Sequence, residues 1–195
     1  MMVSIDLNAA SSHFQAADPI MDQLLDDALT AANPIAVPSP KPQSEYFRSI
    51  VASIISQQIS TKAADAVRGR VEAHLGGTVT PETVRAADFD GLKACGLSSQ
   101  KTKYLKHNAE VWPTLHIEQF STMSDEAIIN ELTSLYGIGR WTAEMFLMFS
   151  MARPDVFSYG DLGLMQGLYI SYNYKPHYVR KIKTTVDNWS PHKTA

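Results

Sequence analysis

The stretch Leu132-Thr133-Ser134-Leu135-Tyr136-Gly137-Ile138-Gly139-Arg140-Trp141-Thr142-Ala143-Glu144-Met145 decides how the chain folds. An apolar helix face stops at Gly137, the chain turns through Ile138 and Gly139, and a second helical pattern begins at once. Glycine takes a positive φ without penalty and lets a backbone come close to a ligand. The new helix would aim its unpaired N–H groups and positive dipole end outward, a ready anion site that needs no basic surface. Ile138 would face inward and pin the turn to the core. The same residues also suit a plain helix–helix turn with two glycine caps.

Helical punctuation extends to both sides of this hairpin. Phe47, Ile50, Val51, Ile54 and Ile55 recur at helical spacing and share one face. Ser60, Ser98 and Ser124 each stand where a helix N-cap belongs, and Asp18-Pro19 and Thr80-Pro81 pair a cap with proline at the first helical position. Asp125 and Glu126 favour a helix start through the dipole, and Ile128, Ile129, Leu132 and Leu135 give that helix its apolar side. Residues 33–44 hold Pro34, Pro38, Pro40 and Pro42 and read as an extended connector. No stretch alternates like a strand. An all-α fold is expected, of about ten short helices, with residues 1–12 as a flexible tail, 13–195 as the folded domain and the hairpin at about 132–152.

At 195 residues and 45% hydrophobic, the chain can bury a sizeable core. Its net charge of −3 announces no global attraction to a polyanion. The charge is uneven, however: residues 131–195 carry a net +2 and residues 1–130 a net −5. The single cysteine, Cys95, excludes a disulfide within the chain and a four-cysteine metal or iron–sulfur site. The six histidines show no metal-ligand spacing. No apolar run is long enough to span a membrane, so a cytoplasmic protein is expected.

After the hairpin comes Arg153-Pro154-Asp155-Val156-Phe157-Ser158-Tyr159-Gly160, then Asp161-Leu162-Gly163-Leu164. Asp161 alone would be read as a helix N-cap. Together with Gly-Ile-Gly-Arg-Trp-Thr-Ala-Glu-Met-Phe, this phrase resembles the helix-hairpin-helix DNA glycosylase superfamily, and within it the 3-methyladenine DNA glycosylase II branch. His13-Phe14, Asp18-Pro19, Ser56-Gln57-Gln58-Ile59-Ser60 and Gly96-Leu97-Ser98 match that branch in order, so the likeness runs from about His13 to the last residue.

The resemblance implies a two-lobed fold with the base pocket between the lobes. It makes Asp161, 20 residues beyond Trp141, the catalytic carboxylate. That group would stabilise positive charge on the deoxyribose as the base leaves, and help place the attacking water. At Trp141, relatives that also cleave the strand carry a lysine nucleophile, so a monofunctional hydrolase is implied. The indole face would suit a flipped cationic base. Met145, one turn along, reads as core together with Met148 and Phe149, and alone of the three could also line the same pocket. Gly137, Ile138, Gly139 and Arg140 would grip DNA, and Gln58 would fill the gap left by the extruded nucleotide. The carbonyls of Thr133, Leu135 and Ile138 are candidates for a structural sodium or potassium ion; no other cofactor is implied.

The implied partner is double-stranded DNA containing alkylated bases such as 3-methyladenine or 7-methylguanine, during base excision repair. The setting would be a bacterial nucleoid or a eukaryotic nucleus. Lys101, Lys103, Lys106, Lys175, Arg180, Lys181 and Lys183 suit either a solvated face or phosphate contacts. Relatives continue past Trp189 with one more helix, so apolar surface is expected to be exposed here, with a monomer expected if the shortening is only a truncation. Two other functions remain open: a non-catalytic module that binds bent or damaged duplex, and a helical protein-interaction domain.

Overall fold

Side-chain caps open most of the helices, each worth about 1 kcal/mol. In the computed structural model, which describes residues 5–32 and 37–195, Asp6 caps α1 (Leu7–Ala17) and Asp18 caps α2 (Pro19–Thr30). After the uncapped α3 (Tyr46–Ser56), Ser60 caps α4 (Thr61–His74). Thr80 caps α5 (Pro81–Ala86) through a reciprocal box with Thr83, and Asp88 caps α6 (Phe89–Ala94). Ser98 caps α7 (Ser99–Val111) and Ser124 caps α8 (Asp125–Thr133). Then follow α9 (Arg140–Phe149), α10 (Leu162–Ser171) and α11 (Val179–Asn188). Three short 3-10 turns complete the order, and no strand occurs among the described residues.

The chain divides into two compact units, residues 41–146 and residues 1–40 with 147–195, so the division falls inside α9. In the first unit, α3 packs against α4 and α7. All five residues of the apolar α3 face are buried, as their spacing requires. Tyr46 meets Phe146 edge to face at 5.0 Å between centroids, and Phe47 meets Trp112 at 5.2 Å. Two lysines finish helices here. Lys106 Nζ donates to the carbonyls of Val84, Arg85 and Ala87 at the end of α5, and Lys101 Nζ to those of Ile55 and Gln57 at the end of α3. Both therefore cap helix ends while staying partly exposed.

In the second unit, Ala10, Phe14, Leu168, Ile182, Val186 and Trp189 form the core. At its edge lies the buried Asp18 carboxylate. One oxygen accepts the N–H groups of Ile20 and Met21; the other accepts Tyr172 Oη and Trp189 Nε1, each at 2.8 Å. Burial, then the bond to Asp18, pushes the Tyr172 phenol far above its usual range, so it remains a donor. Four satisfied acceptor sites make this a buried charge without an orphaned lone pair, as such a group must be.

Three expectations need correction. Residues 7–12, read as tail, are the first turns of α1, because Asp6 accepts two N–H groups there and Ala10 is wholly buried. The connector ends in a 3-10 turn at Gln43–Glu45 rather than staying extended. Phe149, read as core, is 54% exposed. Residues 1–4 of the expected tail and residues 33–36 of the connector, Pro34 among them, lie outside the described residues. On α10, Leu162 is 87% and Ile170 73% exposed. Among the described residues, no helix is long and apolar enough to cross a membrane.

Candidate functional site

The hairpin is α8, a turn through residues 134–139, and α9. Gly137 takes φ +76°, and a Cβ there would stand 2.5 Å from Cδ2 of Tyr104, so two separate constraints demand glycine. Gly139 is different: its φ is not positive, and an added Cβ would meet nothing within 4 Å. The folded protein itself gives no reason for glycine at 139. A ligand approaching the start of α9 would. Ile138 is buried, as its inward placement requires.

Around this turn α7 forms a clamp. Asn108, itself buried, donates to the Tyr136 carbonyl at 2.9 Å and accepts the Tyr136 N–H at 2.8 Å. The Tyr136 ring stacks on His107 with centroids 3.6 Å apart. From the other side, Gln57 Nε2 donates to the Gly137 carbonyl at 2.8 Å. Residues that local patterning did not single out for this role (Asn108, Tyr104 and Gln57) thus hold the hairpin. Their contacts span up to 80 residues of sequence, and no local motif announces such a bond.

Arg140 opens α9 but its guanidinium faces carboxylates. It makes two bonds to Glu126, at 2.9 and 2.8 Å, and one to Glu144 at 2.9 Å. The bonds to Glu126 foremost raise its already high pKa further. Arg140 therefore ties α9 to α8 through paired carboxylates. Trp141, next in line, is 47% exposed, and Met145 one turn on is half-buried. Gln58 follows α3 at φ +59°, exposed, in a left-handed conformation rare for a residue with a side chain. Such strain concentrates where function needs a side chain aimed.

Asp161 belongs to the other unit. It is the N-cap of α10, one carboxylate oxygen accepting the Leu164 N–H at 2.9 Å, while its own N–H donates to the Ser158 carbonyl at 3.1 Å. The cap fixes the direction of the carboxylate, and the helix dipole favours its negative charge. The preceding loop is braced by the last residues. Ser190 and Lys193 donate to Asp155, and Thr194 bonds to the backbone of both Pro154 and Val156. Among the described residues no cluster of His, Cys, Asp and Glu could hold a metal ion.

Residues 51–191 match the HhH-GPD superfamily of base excision DNA repair proteins, and the chain belongs to that family. It is 38% identical over 132 residues to DNA-3-methyladenine glycosylase 1 of Schizosaccharomyces pombe, a match covering 64% of this chain and 57% of the relative. The solved DNA-3-methyladenine glycosidase of Bacillus halodurans superposes with a TM-score of 0.82 and 34% identity, covering 95% of this chain and 84% of that one. A 3-methyladenine DNA glycosylase of S. pombe, in complex with abasic DNA, superposes at 0.72 with 31% identity, covering 95% and 91%. The chain thus spans somewhat over half the length of the curated S. pombe relative.

Proposed function

We propose that this chain is a monofunctional DNA glycosylase of the 3-methyladenine II type. It hydrolyses the N-glycosidic bond of alkylated purines, 3-methyladenine and 7-methylguanine among them, in duplex DNA. The observation that carries the proposal is Asp161, a carboxylate fixed at the head of α10 by its bond to the Leu164 N–H. The names of the relatives support the substrate class, and a neighbour bound to abasic DNA supports the partner.

The chemistry follows from the charge of the leaving group. An alkylated purine is cationic, so when the C1′–N bond breaks, the electron pair leaves with the base and neutralises it. Positive charge then develops on the deoxyribose, and the Asp161 carboxylate stabilises it. Water adds to C1′ and loses its proton, with Asp161 helping to place it. One carboxylate is enough because the base needs no protonation before it departs.

Trp141 would stack on the extruded base, where attraction between the indole face and a cation is worth about 0.5–2 kcal/mol. An indole cannot form a Schiff base, so the lysine-dependent strand cleavage of bifunctional relatives has no nucleophile at this position. The first-turn N–H groups of α9, next to Gly137, Ile138 and Gly139, would bind a backbone phosphate, and Gln58 would enter the base stack. The neutral carbonyls of Thr133, Leu135 and Ile138 would hold a structural sodium or potassium ion. Leu135 accepts the Ile138 N–H at 3.3 Å, and a carbonyl oxygen keeps a second lone pair for a hard cation.

The test is single-turnover release of free base from methylated duplex by the wild type and by Asp161→Asn. Release should fall by about 10²–10³-fold in the variant. Full activity in a folded Asp161→Asn protein contradicts the assignment.

A further inference from the structure

Lys101, Tyr104 and Asn108 stand on one face of α7 and serve two neighbouring loops of the same unit. Lys101 Nζ holds the Gln57 carbonyl at 2.6 Å and the Ile55 carbonyl at 2.8 Å, which fixes the turn that presents Gln58. Tyr104 fills the space beside Gly137, and Asn108 holds Tyr136 by two bonds, which fixes the hairpin. Burial lowers the pKa of Lys101 from its usual range, the expected cost of moving an ammonium among carbonyls. One direct bond joins the two loops: Gln57 Nε2 to the Gly137 carbonyl, at 2.8 Å.

The position of that bond is informative. Gln57 ends α3 at φ −57°, ψ 130°, and the next residue is the strained, exposed Gln58 at φ +59°. Gln57 thus uses both of its ends. Its backbone carbonyl is tied to α7 and its side chain to the hairpin, immediately before the residue whose side chain points away from the fold. A backbone held at both ends has few ways to relax the left-handed conformation that follows it.

We propose that Gln57 is a positioning residue that couples the phosphate-gripping hairpin to the stack-filling Gln58. This rests on the glycosylase activity proposed above. When the hairpin seats on a phosphate, the bond from Gln57 to Gly137 sets the height and direction at which Gln58 meets the duplex. Base extrusion therefore depends on a side chain that touches neither DNA nor the sugar. Adhesion to undamaged duplex depends on it less, because the two bonds from Asn108 to Tyr136 still hold the hairpin.

The experiment compares the full chain with Gln57→Ala and Gln57→Met. Met keeps the length and loses the donor without adding charge; Asn108→Ala, which loosens the hairpin directly, serves as control. Three quantities are read: anisotropy on undamaged duplex, fluorescence of 2-aminopurine placed beside the lesion as a measure of extrusion, and release of methylated base. Both Gln57 variants should lower extrusion about five- to tenfold, the worth of one hydrogen bond, while undamaged-duplex affinity stays within about twofold. Asn108→Ala should weaken both together. Unchanged extrusion in Gln57→Ala and Gln57→Met, or a loss of undamaged-duplex affinity that parallels the loss of extrusion, overturns the coupling. Base release by the wild type reads the glycosylase activity separately. A wild type that extrudes the lesion and releases nothing contradicts that activity while extrusion still decides the role of Gln57.

Discussion

Two helix starts in this molecule solve opposite problems with the same backbone. At the head of α9 the preceding residue is Gly139, which has no side chain to offer the first-turn N–H groups. At the head of α10 the preceding residue is Asp161, which brings its own anion and accepts the Leu164 N–H. The second start is capped by a side-chain carboxylate, and the residue before the first has no side chain to do the same. Around the first, α7 and Gln57 hold the turn by direct bonds, and Arg140 is cancelled by Glu126 and Glu144. The first is thereby held rigid with its arginine paired to carboxylates, whereas the second presents a carboxylate of fixed direction.

The two glycines of the hairpin sharpen this contrast most. Gly137→Ala forces a side chain into a positive φ and against Tyr104, so urea unfolding should show a loss of about 2–4 kcal/mol. Gly139→Ala meets no atom in the folded protein and should change stability by less than about 0.5 kcal/mol. Its cost should appear in duplex affinity, because the added methyl stands where a phosphate would approach. Equal stability losses at the two positions would break the distinction.

At the other helix start, Asp161→Asn keeps an oxygen able to cap α10, and its unfolding free energy should stay within about 0.5 kcal/mol of wild type. Asp161→Ala removes the cap and should cost about 1 kcal/mol. If Asn proves as destabilising as Ala, the carboxylate is needed for the fold and the separation of its two roles fails.

Glu126→Gln removes one of the two carboxylates paired with Arg140 and leaves Glu144. The guanidinium, then balanced by Glu144 alone, belongs to the residue that follows the hairpin turn, so undamaged duplex should be bound more tightly. The log–log salt slope should steepen by about 0.9, the contribution of one further phosphate contact. An unchanged slope would mean that Arg140 faces away from the duplex.

The smallest effect concerns α8. His116 lies 2.9 Å from Glu131 on that helix, and the hydrogen bond to this carboxylate raises the imidazole pKa above its usual 6.5. A raised folded pKa contributes stability that is complete below the unfolded value and is lost as pH rises through the folded one. The stability difference between wild type and His116→Gln should therefore shrink as pH rises from about 6.5, a trend that thermal melts across that range would detect. A difference that grows with pH would contradict the assignment.

Much of this was legible in the sequence because it is local. The caps at Asp18, Ser60, Thr80, Ser98 and Ser124 lie within three residues of the N–H groups they satisfy. The α3 face lies within nine residues, and the hairpin turn shows in its glycines. What escaped has two physical causes. Helix α1, Leu-Asn-Ala-Ala-Ser-Ser-His-Phe-Gln-Ala-Ala, carries too few large apolar residues for its period to show, although Ala10 and Phe14 pack into a core supplied by α10 and α11. The polar clamp on the hairpin joins residues 28 and 80 positions apart, so neither partner hints at the other. Lys101 and Lys106 illustrate the same limit, since a lysine on a helix is read by its charge until the carbonyls it caps come into view.

On the proposed function, the chain releases an alkylated base and leaves the strand unbroken. The direct measurement is a single-turnover reaction of the full chain on methylated duplex DNA, with free base and strand breaks followed in the same samples. Free methylated purine should accumulate while the strand remains intact until alkali is added. A folded protein that releases no base, or one that cuts the strand without alkali, would contradict the account.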